Sequence, residues 1–240
     1  MAWYADSFEL ANLWFAGSVY GESRATGISY DSGELVGPIN IQLGLLNPTV
    51  GEAGPKSEGK IPDPSVEAKI AYHRDTFGGE LAVVSEKRNT GSAPDYKLAS
   101  GLAYSLGIWA NISIIELALA YTGGDALYDS VTTGAQITKE ENDQMSALAA
   151  HIKANFGDAH ASIYYGMQTL THSKKNGAVD KNDNPKNIDD VGTTMGIHIG
   201  YDYHGATFIG EAVSTTRMYD GEKVEIDTYF SIGASTSFSS

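Results

Sequence analysis

Six histidines and 30 acidic residues set the chemistry open to this chain of 240 residues, which has no cysteine. Without thiols there is no disulfide framework, thiolate metal site or cysteine nucleophile. His160 and Ser162 stand two apart on one face of an extended segment, a pairing open to acyl hydrolysis, but no third residue has the spacing that would orient the base. His198 and His204 share a parity with Asp202. Same-face residues of a strand lie about 7 Å apart, so positions i and i+6 cannot close on one metal ion. Asp180 to Pro185 (DKNDNP) opens like a calcium loop but lacks the glycine and the terminal glutamate where they are needed. It reads as a polar surface loop whose Asp and Asn side chains could hold a divalent cation loosely.

A further set of charged and titratable residues is dispersed along alternating segments. These are Glu67, Lys69, His73, Glu80, Lys97, Glu116, His151, Lys153, His198, Asp202, Glu211, Arg217, Glu225 and Asp227. Facing one aqueous volume, they would act by their electric field rather than by bond chemistry. Acids outnumber bases among them, which predicts a mild preference for cations. The whole chain is acidic too, with 16 Lys+Arg against 30 Asp+Glu and a net charge of −14. That balance argues against a nucleic-acid partner, whose phosphates are bound by clustered Lys and Arg.

The elements that position these residues are strands. Ile39, Ile41, Leu43 and Leu45 alternate with Asn40, Gln42 and Gly44. Val66, Ala68, Ile70 and Tyr72 alternate with Glu67, Lys69, Ala71 and His73. The same period of two recurs over 144–156, 195–203 and 224–238. The uncharged stretch from Leu98 to Ile115 is long enough for a short membrane helix, but Ser100, Gly101, Ser105, Gly107, Asn111 and Ser113 interrupt it. It reads as two strands joined near Gly107. About eleven strands of roughly ten residues are expected, which at ~3.4 Å per residue and a 45° tilt would each rise about 24 Å.

Connections of two kinds take turns. Tight turns are expected at 32–37, 75–79, 106–110, 157–159 and 203–206. Long polar loops are expected at 47–64, 87–95, 122–142 and 172–190, with a shorter one at 219–223. All tight turns then fall at one end of the sheet. The fold expected is an all-β, antiparallel up-and-down transmembrane barrel. A water-soluble β-sandwich binding module shares the alternation, but its outward parity should be rich in Lys, Glu and Thr. Here that parity is mostly Gly, Ser and Ala with scattered charges. Aromatics gather at strand ends (Trp109, Tyr121, Phe156, Tyr201, Tyr203, Phe208, Phe230, Phe238), as in the girdles of membrane barrels.

Arg24 to Gly44 (RATGISYDSGELVGPINIQLG) resembles a recurrent strand pair of the general Gram-negative porins. Tyr229 to Phe238 (YFSIGASTSF) resembles that family's closing strand. Gly33, Leu35 and the trailing Ser239 and Ser240 depart from the family pattern. The resemblance implies the last eleven of about sixteen strands, with an N-terminally incomplete chain whose Met1 is not the native start. The absence of a basic, apolar leader after Met1 agrees with that reading. A single domain over 1–240 is expected, with 1–23 as a constriction-loop-like segment and 24–240 as barrel strands.

The resemblance further implies passive diffusion of small hydrophilic solutes and ions through a water-filled pore in the bacterial outer membrane. No cofactor and no catalysis are implied. Asp6, Glu9 and Glu22 would face Arg24 across the constriction. Equally, Arg24 pairs with Glu22 or caps a surface turn. The partners implied are outer-membrane lipid and lipopolysaccharide, two further copies in a homotrimer, and the assembly machinery, engaged through the strand ending at Phe238. A barrel lipid hydrolase built on His160 and Ser162 is the enzymatic alternative.

Overall fold

The computed structural model describes residues 27–33, 37–46, 65–90, 97–125 and 143–236. They form eleven strands: β1 (Gly27–Asp31), β2 (Ile39–Leu46), β3 (Ser65–His73), β4 (Phe77–Thr90), β5 (Lys97–Ile112), β6 (Ile115–Asp125), β7 (Gln144–Phe156), β8 (Ala159–His172), β9 (Ile188–Tyr203), β10 (Ala206–Tyr219) and β11 (Glu222–Thr236). A short 3-10 turn, Lys174–Asn176, lies between β8 and β9. All eleven strands belong to one sheet in chain order, each antiparallel to the next. A sandwich would need two facing sheets, so that alternative is set aside. The architecture is the up-and-down barrel wall of the porin type, and among the described residues β1 and β11 are its two edges.

Alternation explains why these segments pair as they do. A slip of one residue would carry every side chain to the opposite face, so the apolar rows lock the register. One row runs laterally through Ile41, Ile70, Leu81, Leu106, Tyr121 and Leu148. Another runs through Ile152, Ile163, Ile197, Ala212 and Phe230. The first row is half exposed through the middle of the sheet, 48% at Ile70, 45% at Leu81 and 49% at Leu106, whereas Lys69 and Glu80 on the opposite face of the same strands are only 7% and 3% exposed. Polarity is thus inverted relative to a protein in water: the oily face is outside and the charged face is enclosed. Water-soluble monomers seldom expose apolar patches beyond a few hundred Å².

Tight turns close β5–β6, β7–β8 and β9–β10 at one end. His204 and Gly205 both have positive φ (49° and 82°), the pattern of a two-residue hairpin turn whose twist matches the strands it joins. Two expectations about connections are corrected. No turn falls at Gly107, because β5 runs unbroken from Lys97 to Ile112. Leu102, Tyr104, Leu106 and Ile108 keep one parity through it, and Gly107 stays paired to Glu80 on one side and Ala120 on the other. The chain reverses instead at Ser113 (φ 57°). At the opposite end, the expected loop at 219–223 is a two-residue turn, Asp220-Gly221, with φ of 50° and 80°.

Aromatics do collect outward at the tight-turn end, where Phe77, Phe156, Tyr201, Tyr203 and Phe208 are exposed. Tyr72 and Phe77 pack with ring centroids 5.4 Å apart. Trp109 is the exception. It has the opposite parity to Ile108 and lies on the enclosed face, 5.0 Å from the His73 ring. Phe238 lies outside the described residues.

Candidate functional site

Cross-strand register assembles the charged face into lateral rows that no single segment reveals. One row reads Asn111, Glu116, Lys153, Ser162, His198, Glu211, Ser231 from β5 to β11. The next reads His73, Gly78, Trp109, Ala118, His151, Tyr164, Gly196, Val213, Tyr229 from β3. Glycines sit where a large neighbour must lie flat across the sheet. A Cβ at Gly78 would overlap the Trp109 ring, one at Gly196 the Tyr164 ring, and one at Gly200 the His160 ring. Across Gly196, Tyr164 of β8 therefore spans β9 and donates its hydroxyl to Glu211 Oε1 on β10 at 2.8 Å.

Each of the three described basic side chains in strands of this face meets a carboxylate. Lys69 Nζ lies 3.1 Å from Glu80 Oε2, with both side chains buried. Lys153 Nζ lies 3.7 Å from Glu116 Oε1, which also accepts Asn155 Nδ2 at 2.6 Å. Arg217 grips Asp190 with two parallel hydrogen bonds, Nε to Oδ1 at 2.9 Å and a second from its terminal nitrogen to Oδ2. This two-pronged geometry is the strong form of the pair. Asp202 and Glu211 are held by hydroxyls instead: Thr207 donates to Asp202, and Tyr164 and Ser231 donate to Glu211.

Ten residues singled out from the sequence share this face: Glu67, Lys69, His73, Glu116, His151, Lys153, His198, Asp202, Glu211 and Arg217. Glu80, Glu225 and Asp227 join them. Lys97 opens β5, and its side chain is not among those described. Asp6, Glu9, Glu22 and Arg24 lie outside the described residues, as does the 1–23 segment. His160 and Ser162 share the face, but the ring that His160 meets is that of His198, with centroids 5.3 Å apart.

Sequence reasoning missed Asp190, which it placed at the end of a loop, and Tyr164, whose reach to Glu211 depends on register. The spacing Gly196-x-His198-x-Gly200 is the signal that would have found the aromatic seats. At the long-loop end, Asp143 is buried, accepting Ser173 N–H at 2.7 Å and meeting His172 Nδ1 at 3.2 Å. That contact ties the start of β7 to the end of β8. In the loop beyond, Asp180 Oδ1 accepts the N–H groups of Asn182 (2.8 Å) and Asn184 (3.0 Å), so its carboxylate is engaged in shaping its own turn.

The fold matches an anion-selective porin from Comamonas acidovorans with a TM-score of 0.58 and 12% sequence identity. The match covers 87% of this chain and 58% of that porin. No family model matches the sequence, and no curated protein does. At that identity the likeness concerns the fold: a porin-type wall, of which this chain spans rather more than half the neighbour's length. No helix among the described residues is long and apolar enough to cross a membrane, which leaves crossing by strands as open as before.

Proposed function

We propose that this chain forms the wall of a bacterial outer-membrane porin, through which small hydrophilic solutes and ions diffuse passively. The observation that carries this reading is the inverted polarity of a single meandering sheet, with oily rows exposed on one face and charged residues gathered on the other, where Glu67, Lys69, Glu80 and Asp190 are buried. Lipid satisfies the first face and a water-filled lumen the second. No bond is made or broken in such a role, and no cofactor is needed.

Glu67, Lys69, His73, Lys97, Glu116, His151, Lys153, His198, Asp202, Glu211 and Arg217 line the pore in this reading. Asp6, Glu9 and Glu22 oppose Arg24 at its constriction. The assembly is a homotrimer among lipid and lipopolysaccharide, inserted through the strand ending at Phe238. The pore favours cations. Lys69, Lys153 and Arg217 each face an acid, while Asp202 and Glu211 accept from hydroxyls rather than from a cation. The surplus field is therefore negative, unlike that expected of an anion-selective neighbour.

Reconstitution of the full-length protein in planar bilayers tests both parts. Ohmic conductance steps and a reversal potential of cationic sign in a salt gradient are expected. A bilayer that stays silent at high protein load sinks the pore, and an anionic reversal potential sinks the selectivity alone.

A further inference from the structure

We propose that His160 and His198 form a two-imidazole site on the enclosed face for a borderline-soft divalent cation of the Zn²⁺ or Cu²⁺ type. The two residues sit on neighbouring strands, β8 and β9, with ring centroids 5.3 Å apart and planes inclined by 33°. Imidazole nitrogens bind Zn²⁺ at about 2.0–2.1 Å, which sets the centroids of two rings sharing one tetrahedral ion about 5 Å apart. Along one strand such convergence is impossible, as His198 and His204 illustrate. Across a strand pair it follows from register alone.

Two further observations single this pair out. The His160 ring occupies a seat that exists only because residue 200 is glycine, since any Cβ there would overlap it. The ring is thereby laid toward His198. His198 Nε2 is buried and has no hydrogen-bond partner within the protein. A buried ring nitrogen without a partner is costly, and a metal ion is one of the few ligands that satisfies it directly.

The surroundings suit a cation. Glu211 is the register partner of His198 on β10, and Asp202 follows on β9 with the same parity. Lys153, in the same lateral row as His198 with Ser162 between them, is offset by Glu116 at 3.7 Å. No group of three or more His, Asp or Glu side chains among the described residues is placed to enclose a metal ion. Water would therefore complete the coordination, making the site open and exchangeable. Imidazole donors select Zn²⁺ and Cu²⁺ over Mg²⁺ and Ca²⁺, which prefer all-oxygen shells.

The test has two arms, of which only the second rests on the pore reading. In the first, Cu²⁺ is added to the detergent-solubilised full chain and followed by electron paramagnetic resonance. The expected spectrum shows splitting from two imidazole nitrogens, reduced to one in either H160Q or H198Q and unchanged in H204Q. Gly200→Ala displaces His160 and should have the same effect as H160Q, while far-ultraviolet circular dichroism confirms that each variant retains its sheet. In the second arm, Zn²⁺ lowers single-channel conductance and Mg²⁺ at equal concentration does not. Either His→Gln change should raise the half-blocking Zn²⁺ concentration by roughly tenfold or more. A wild-type copper spectrum without nitrogen splitting, or one that survives both folded variants, overturns the site. Absent conductance before any metal is added counts against the pore and leaves the first arm standing.

Discussion

Gly196 shows how one missing side chain organises the charged face. A methyl group there must push the Tyr164 ring aside and break its hydrogen bond to Glu211. Gly196→Ala should cost about 1–3 kcal/mol of unfolding free energy in urea titrations of the refolded protein. Gly210→Ala is the control, since a Cβ there meets nothing within 4 Å, and it should stay within about 0.5 kcal/mol. Burial separates the ion pairs in the same way. Lys69 and Glu80 have side-chain exposures of 6% and 1%, so Lys69→Met breaks a buried ion pair by removing one member and should cost about 3–5 kcal/mol. Lys181 and Glu222, at 79% and 77%, lie 3.9 Å apart in water, and Lys181→Met should shift the urea midpoint by nothing measurable. At this scale the sequence was informative about which face a residue takes, because parity decides it, and silent about its partner. Lys69, Lys153 and Arg217 could be placed by counting, but that they meet Glu80, Glu116 and Asp190 follows from pairing between strands. Trp109 was misplaced because an aromatic near a strand end fits a girdle equally well until its parity is weighed against the glycine at 78.

Strands were the most legible elements, since Val66 to Tyr72 or Met195 to Tyr203 cannot alternate so cleanly in any other conformation. Turns were less so, because a glycine such as Gly107 weakens a strand without ending it while both ladders hold. The true reversal rests on Ser113 at φ 57°, a left-handed conformation costly to any residue with a side chain. Ser113→Gly should therefore stabilise the refolded protein by about 0.5–1 kcal/mol, read from the same urea titration, and a loss instead would show that the serine earns its place by contacts. The loop between β8 and β9 makes a different prediction. Asp180 has its carboxyl held below the usual value of 3.8, chiefly by the Asn184 and Asn182 N–H groups, with a smaller contribution from Lys186. Because the folded value is the lower one, this contribution is complete above about pH 4 and fades as acid brings pH down through the depressed folded value. Hydrogen exchange of the Asn182 and Asn184 amides, corrected for intrinsic rate, should lose protection only below that range, and Asp180→Ala should remove both the protection and its pH dependence.

For the molecule as a whole, the proposed pore would select ions by charge asymmetry rather than through any one residue. Replacing Glu211, Glu225 and Asp227 together by their amides should move the reversal potential toward anions, with conductance in concentrated salt little changed because screening is then nearly complete. An unmoved potential would place selectivity elsewhere, for instance among Asp6, Glu9 and Glu22. The antiparallel meander was readable because oily alternation and uneven connection lengths point the same way, whereas edges and completeness depend on pairing that no local pattern encodes. The bareness of the outer rows has an evolutionary corollary. A side chain that rests against fluid hydrocarbon has no fixed neighbour to match, so Ile, Leu, Val and Phe can replace one another there with little selective resistance. A library randomised over Leu81, Leu106, Ile163 and Ile197 among those four residues should yield inserted protein in nearly every clone.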